Sequence, residues 1–271
     1  MINAKSGWRG KRLFWMLLTA VLVFILCAAS AYALRWYHGF YHHVTHEELS
    51  HEVKHSTFPV TIRSGPPLTL QLYQQENAAN QPLVLFTSGD GGWSIDAKDY
   101  LLKFATPKKP VSPEEITRDY DAIAQQSMAQ PGIDAKAPLV LAGWSLGAGY
   151  SVLVASQPEF SLRVSRVVAI SLPAYCELAW KATDAFIYIT HGRPNEKVFD
   201  VHQYLKKLNQ TPIIFLTATN DDTASFREAQ SMYEATPGAK RFYAVKASGH
   251  HFEGGEKEFY QDLDQGLSLP G

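Results

Sequence analysis

Cysteine is scarce in this chain: two residues among 271, Cys27 and Cys176. Cys27 lies inside an amino-terminal apolar run, so no disulfide can close within the remainder, which must rely on its hydrophobic core. Charge of one sign is missing as well. Lys plus Arg number 25 against 26 Asp plus Glu, a net −1, and without a basic excess nucleic acid is excluded as the expected partner. Repeats and low-complexity tracts are absent. No set of Cys, His and carboxylates stands at zinc-ligand spacing, so neither a metal nor a cofactor is expected. Acidic residues are missing from the first 46 positions.

Long apolar runs are absent with one exception. Leu13–Leu34 is uncharged and mostly apolar over 22 residues, long enough as a helix to cross a bilayer. Lys5, Arg9, Lys11 and Arg12 precede it, which sets residues 1–12 in the cytoplasm and everything after residue 34 outside, in the periplasm. Ala31-Tyr32-Ala33 also suits a signal peptidase, so residues 13–34 read as a signal anchor in the inner membrane or as a cleaved signal peptide. Leu26, directly before Cys27, does not suit lipoprotein acylation. Residues 35–56 form a stem holding His38, His42, His43, His46, His51 and His55, six of the chain's ten histidines. On a helix 38/42/46 would share one face, and 51/55 another. Aromatic Trp36, Tyr37, Phe40 and Tyr41 make a juxtamembrane stalk the stronger reading than a metal site.

Residues 57–271 suffice for one compact domain. Phe58–Arg63 and Leu68–Tyr73 predict a hairpin turned at Gly65-Pro66-Pro67. Pro82–Phe86, Pro138–Ala142, Ser165–Ser171, Ala185–Ile189, Thr211–Thr217 and Arg241–Val245 read as strands. Helical patterns fit Pro113–Met128, Gly147–Ala155, Val201–Leu208, Thr223–Ala235 and Glu256–Leu267. Ser112-Pro113-Glu114-Glu115 is a helix start, with an N-cap serine, proline at the first position and acids in the first turn. Strands alternating with helices predict an α/β fold, a mostly parallel sheet with helices on both faces.

Chemistry concentrates in Gly143-Trp144-Ser145-Leu146-Gly147. Strand, G-x-S-x-G and helix in that order make a nucleophile elbow, a turn so tight that the positions two before and two after the serine must lack side chains. Ser145 is the predicted nucleophile. A serine hydroxyl needs a base, and the hydrolase order puts an acid and then a histidine further along. Asp221 follows one strand, ahead of Asp222, and His250 follows Gly249 past the next, ahead of His251. A second oxyanion donor is expected from the loop Thr87-Ser88-Gly89-Asp90-Gly91-Gly92-Trp93, whose glycines let amides turn inward. Asp90 beside an oxyanion site calls for a reason, and attraction of a cationic substrate group supplies one. Trp93 and Trp144 are the further candidate substrate contacts.

The Ser-Gly-Asp-Gly-Gly-Trp loop, Gly-Trp-Ser-Leu-Gly-Ala-Gly and Gly-His-His-Phe together resemble the bacterial virulence protein VirJ/AcvB family of the α/β-hydrolase superfamily, over roughly Pro82 to the end. The resemblance implies a periplasmic serine hydrolase that removes the aminoacyl group from lysyl-phosphatidylglycerol. It carries over Ser145, Asp221 and His250 as a triad, with Asp90, Gly91 and Leu146 at the oxyanion. The Thr-Asn-Asp-Asp acid loop departs from the family pattern. Other serine hydrolase chemistry, peptidase or thioesterase, fits the same residues, as does a non-catalytic envelope binding protein on a hydrolase shell. One segment looks short. Between Trp93 and Ser112 stand 18 residues, including Thr106-Pro107-Lys108-Lys109-Pro110, too few for the usual helix and crossover strand. A sheet lacking one helix–strand unit is therefore expected.

Overall fold

The computed structural model describes residues 14–30, 53–62, 67–75, 81–89, 111–161, 163–178 and 198–268. The stem histidines before His55, the loop from Asp90 to Trp93, the short segment up to Pro110 and the expected strand Ala185–Ile189 lie outside the described residues. The chain forms two units, Met1–Glu48 and Leu49–Gly271. In the first, residues 14–30 form helix α1, whose apolar side chains, among them Trp15, Phe24 and Leu26, are exposed. Among the described residues, no helix is long and apolar enough to cross a membrane. Residues 14–30 all lie within the apolar run 13–34.

In the second unit, five strands make a parallel sheet in the order β3 (Leu83–Thr87), β4 (Leu139–Trp144), β5 (Val164–Ile170), β8 (Ile213–Asn220), β9 (Lys240–Ser248). Alternate residues of the apolar strands serve different cores, as a sheet buried on both faces requires. Leu139, Leu141, Val167, Ala169, Ile213 and Phe215 face the larger core. That core also holds side chains of α2 (Pro113–Met128), α3 (Leu146–Ala155), α5 (Val201–Leu205) and α6 (Phe226–Ala235). Val140, Ala142, Val168, Ile170, Ile214 and Leu216 face the smaller one, which takes Phe259 of α7 (Glu256–Ser268). Between α3 and β5 lies a single turn, α4 (Pro158–Ser161). A short antiparallel pair, β6 (Tyr175–Glu177) with β7 (Val198–Asp200), carries Phe199 and Cys176 into the larger core.

Helix α2 starts as its sequence dictates. The Ser112 hydroxyl accepts from the Glu115 amide at 3.2 Å, and the Glu115 carboxylate accepts from the Ser112 amide at 2.8 Å, a reciprocal cap ahead of Pro113. The hairpin β1 (Val53–Val60) and β2 (Leu68–Gln75) docks on this helix, where Gln126 exchanges two hydrogen bonds of 3.2 Å with the Thr61 backbone.

Strand β1 begins five residues earlier than the hydropathy pattern predicts, at Val53 rather than Phe58, because the long β2 offers partners up to Gln75. His55 is consequently a strand residue. Its ring stacks on Tyr73 at 4.7 Å and its Nε2 meets Gln71 Oε1 at 2.7 Å. Among the described residues β3 is an edge strand, with Val84 and Phe86 more than a third exposed.

A buried cation closes the smaller core. Arg166, on β5 and 5% exposed, donates through Nη1 to the carbonyls of Gly266 (2.6 Å) and Leu267 (3.0 Å) in the last turn of α7. Those carbonyls have no partner within the helix. Arg166→Ala is expected to lower unfolding free energy by about 2–4 kcal/mol, through two charge-assisted hydrogen bonds and the lost stem packing. Urea unfolding checks the loss, and activity per folded molecule should hold.

Candidate active site

Three elements lie at the carboxyl end of the sheet. The first is the turn between β4 and α3. Ser145 has φ 53° and ψ −119°, a region costing about 1–3 kcal/mol for a residue with a side chain. The surrounding bonds hold it there. Its amide donates to Ile170 O at 2.8 Å, and its carbonyl accepts from the amides of Ala148 (3.0 Å) and Gly149 (3.2 Å). Both flanking glycines are sterically required. A Cβ on Gly143 would collide with the Gly147 carbonyl, and one on Gly147 with the carbonyl oxygens of Thr87 and Ser88. The side chain of Ser145 is half-buried. The amide of Leu146 opens α3, where first-turn N–H groups have no intrahelical acceptor.

The second element is the end of β8. Asp221 follows Asn220, and its side chain is fully buried. Its Oδ1 accepts from the amides of Thr223 (2.9 Å) and Ala224 (2.7 Å). This wrap explains why α6 starts at Phe226 rather than at Thr223 as predicted: those residues are spent on the carboxylate. Asp222 points outward and is exposed.

The third is the turn after β9. Ser248 and Glu253 pair across it, Gly249 takes φ 67° and donates to Asn220 O at 2.9 Å, and Phe252 takes φ 61°. The turn thereby points His250 at Asp221, with Nδ1 3.0 Å from both carboxylate oxygens. His250 Nε2 is buried and has no hydrogen-bond partner. Burial pushes the Asp221 carboxyl up, but the His250 hydrogen bond and charge and the amides of Ala224 and Thr223 outweigh it, leaving the pKa below its ordinary value. A carboxylate on Nδ1 fixes the tautomer in which Nε2 accepts a proton.

The indole of Trp144, read from the sequence as a substrate contact, packs against the smaller core. Its ring lies 5.5 Å from Phe252 and Phe259 and 5.8 Å from His251. Strand alternation puts residue 144 on the α7 face, so it bears on the site by bracing the histidine turn. From the oxyanion loop, Gly89 stands beside the nucleophile: a Cβ there would lie 3.4 Å from Ser145 Cβ. Asp90, Gly91 and Trp93 lie outside the described residues. Tyr120 carried no signal in the sequence, where it reads as one apolar-face residue between Ile116 and Ala124. Its phenol oxygen is 2.6 Å from Thr87 Oγ1. Among the described residues, no group of three or more His, Cys, Asp or Glu could hold a metal ion.

No family model matches the chain, and no curated protein matches it. Solved structures do resemble it. An esterase domain from Rhodothermus marinus superposes with a TM-score of 0.52 at 15% identity, covering 79% of this chain and 96% of that one. A Pyrococcus furiosus esterase gives 0.54 at 14% identity over 79% and 90%. A dienelactone hydrolase from Anabaena variabilis gives 0.56 at 14% over 80% and 98%. Likeness at that identity speaks for architecture. The second unit has the α/β-hydrolase fold.

Proposed function

We propose that this protein is a serine hydrolase cleaving an acyl ester, with Ser145 as nucleophile, His250 as base and Asp221 as its orienting acid. The carrying observation is His250: Nδ1 held by a buried carboxylate, Nε2 buried and unpartnered, in a fold whose serine stands on a strained elbow. Ser145 Oγ attacks the ester carbonyl as its proton passes to His250 Nε2. The oxyanion draws on the Leu146 amide and on a second amide from the loop after β3, where one donor is worth about 3 kcal/mol. His250 then protonates the leaving alcohol. Water, activated by the same nitrogen, releases the acid.

The substrate we propose is an aminoacylated phospholipid, lysyl-phosphatidylglycerol, and the family we propose is VirJ/AcvB. The glycine loop, elbow and Gly-His-His-Phe motifs support both, and a periplasmic domain anchored through residues 13–34 would meet such a lipid at the membrane surface. Asp90 would attract the lysyl ammonium. The test is the full chain in detergent with a panel of polar-lipid esters, following released lysine by mass spectrometry. Lysine release that falls in Asp90→Asn by about tenfold, with neutral acyl esters little affected, is the expected result. Turnover of neutral esters, thioesters or peptides alone would overturn the lipid substrate, and no turnover at all would leave a binding protein on a hydrolase shell.

A further inference from the structure

We propose that Tyr120 is a positioning residue for the oxyanion site, holding the departure of the glycine loop in place through Thr87. The proposal rests on the serine-hydrolase reading above. Thr87 is the last residue of β3, in register with Gly143 of β4. Its carbonyl and that of Ser88 lie where a Cβ on Gly147 would be, and Gly89 lies against Ser145. The strand end thus rests directly on the elbow, and any sideways shift of Thr87 carries Ser88 and Gly89 with it.

Tyr120 acts on that point. It is 6% exposed in the middle of α2, flanked one turn either way by buried Ile116 and Ala124, so its ring has one seat. The 2.6 Å hydroxyl-to-hydroxyl bond ties Thr87 to that seat. On the elbow side, the Ser151 hydroxyl of α3 donates to the Gly147 carbonyl at 2.9 Å. Burial pushes the phenol up to about 12, against hydrogen bonding with Thr87, so it stays neutral and adds no anion beside a developing negative charge. Oxyanion donors must be held within about 0.5 Å of their working positions, and small displacements cost rate rather than substrate affinity.

Labelling with an alkyl fluorophosphonate reads this without knowledge of the natural substrate. Ser145 Oγ bonds to phosphorus, the P–F bond breaks, fluoride leaves and the serine proton goes to His250. The phosphoryl oxygen meanwhile occupies the oxyanion site. We expect the wild-type full chain to label at Ser145, and Tyr120→Phe and Thr87→Val each to label about tenfold more slowly. On an ester substrate kcat should fall in parallel, with KM within about twofold. The double variant should be no slower than either single, and Thr87→Ser should label at the native rate. Native labelling and turnover in Tyr120→Phe, whatever its melting temperature, would overturn the proposal, as would additive losses in the double variant. Should Tyr120→Phe not fold, the Thr87 pair decides: Val slow and Ser native supports the link, and both native overturns it. A wild-type chain that does not label overturns the hydrolase reading itself, and the proposal with it.

Discussion

Ser145→Ala is expected to abolish ester hydrolysis, lowering kcat by about 10⁶-fold, while the protein melts at an unchanged temperature. Stability should hold because the hydroxyl is half-buried and fills no core volume. Alanine at φ 53° keeps the same backbone strain, so nothing is relieved either. The bonds that hold the elbow, from the Ser145 amide to Ile170 and from Ala148 and Gly149 to the Ser145 carbonyl, belong to the backbone and survive. Fluorophosphonate labelling should vanish with turnover, and thermal melting followed by circular dichroism checks the fold. Most of the activity persisting in this variant would remove Ser145 as nucleophile.

Asp221→Asn is expected to cost about 10⁴-fold in kcat with little change in KM, and the reason lies in its backbone partners. The amides of Thr223 and Ala224 both donate to Oδ1. In the variant they select the amide oxygen for that position, which turns the asparagine NH₂ toward His250 Nδ1. A donor facing Nδ1 moves the ring proton to Nε2, and His250 can no longer take the proton of Ser145. Asp222→Asn, at an exposed neighbour, should be silent. Acid stability provides a second reading. A carboxyl whose folded pKa lies below its unfolded value stabilises the fold above the unfolded value, and that contribution is lost as pH falls through the folded one. The wild type should therefore lose stability below about pH 4 more steeply than Asp221→Asn, measured by urea unfolding across pH.

Much of the parallel sheet was legible because its strands are short apolar runs ended by glycine, proline or acids, and because α2 and α7 carry clear helical patterns. Pro113–Met128 was predicted to the residue, since its cap is local: Ser112, Pro113 and Glu115 act within one turn. Boundaries failed where a distant partner decided them. The start of β1 follows from pairing with β2, and the late start of α6 follows from a carboxylate that takes two amides because a histidine 29 residues away holds it in place.

By itself the sequence determined the elbow, since glycines two before and two after a serine between a strand and a helix permit that turn and little else. It also determined the chain order of serine, acid and histidine, and the alternation that covers both faces of a parallel sheet. Only the tertiary structure decided that Asp221 is wrapped by the amides of Thr223 and Ala224, that Trp144 braces the smaller core, and that Tyr120 reaches Thr87. These choices turn on where a side chain ends in space. Local pattern sets the face on which a residue lies, whereas a hydrogen bond between α2 and β3 or between β8 and β9 depends on how whole elements pack.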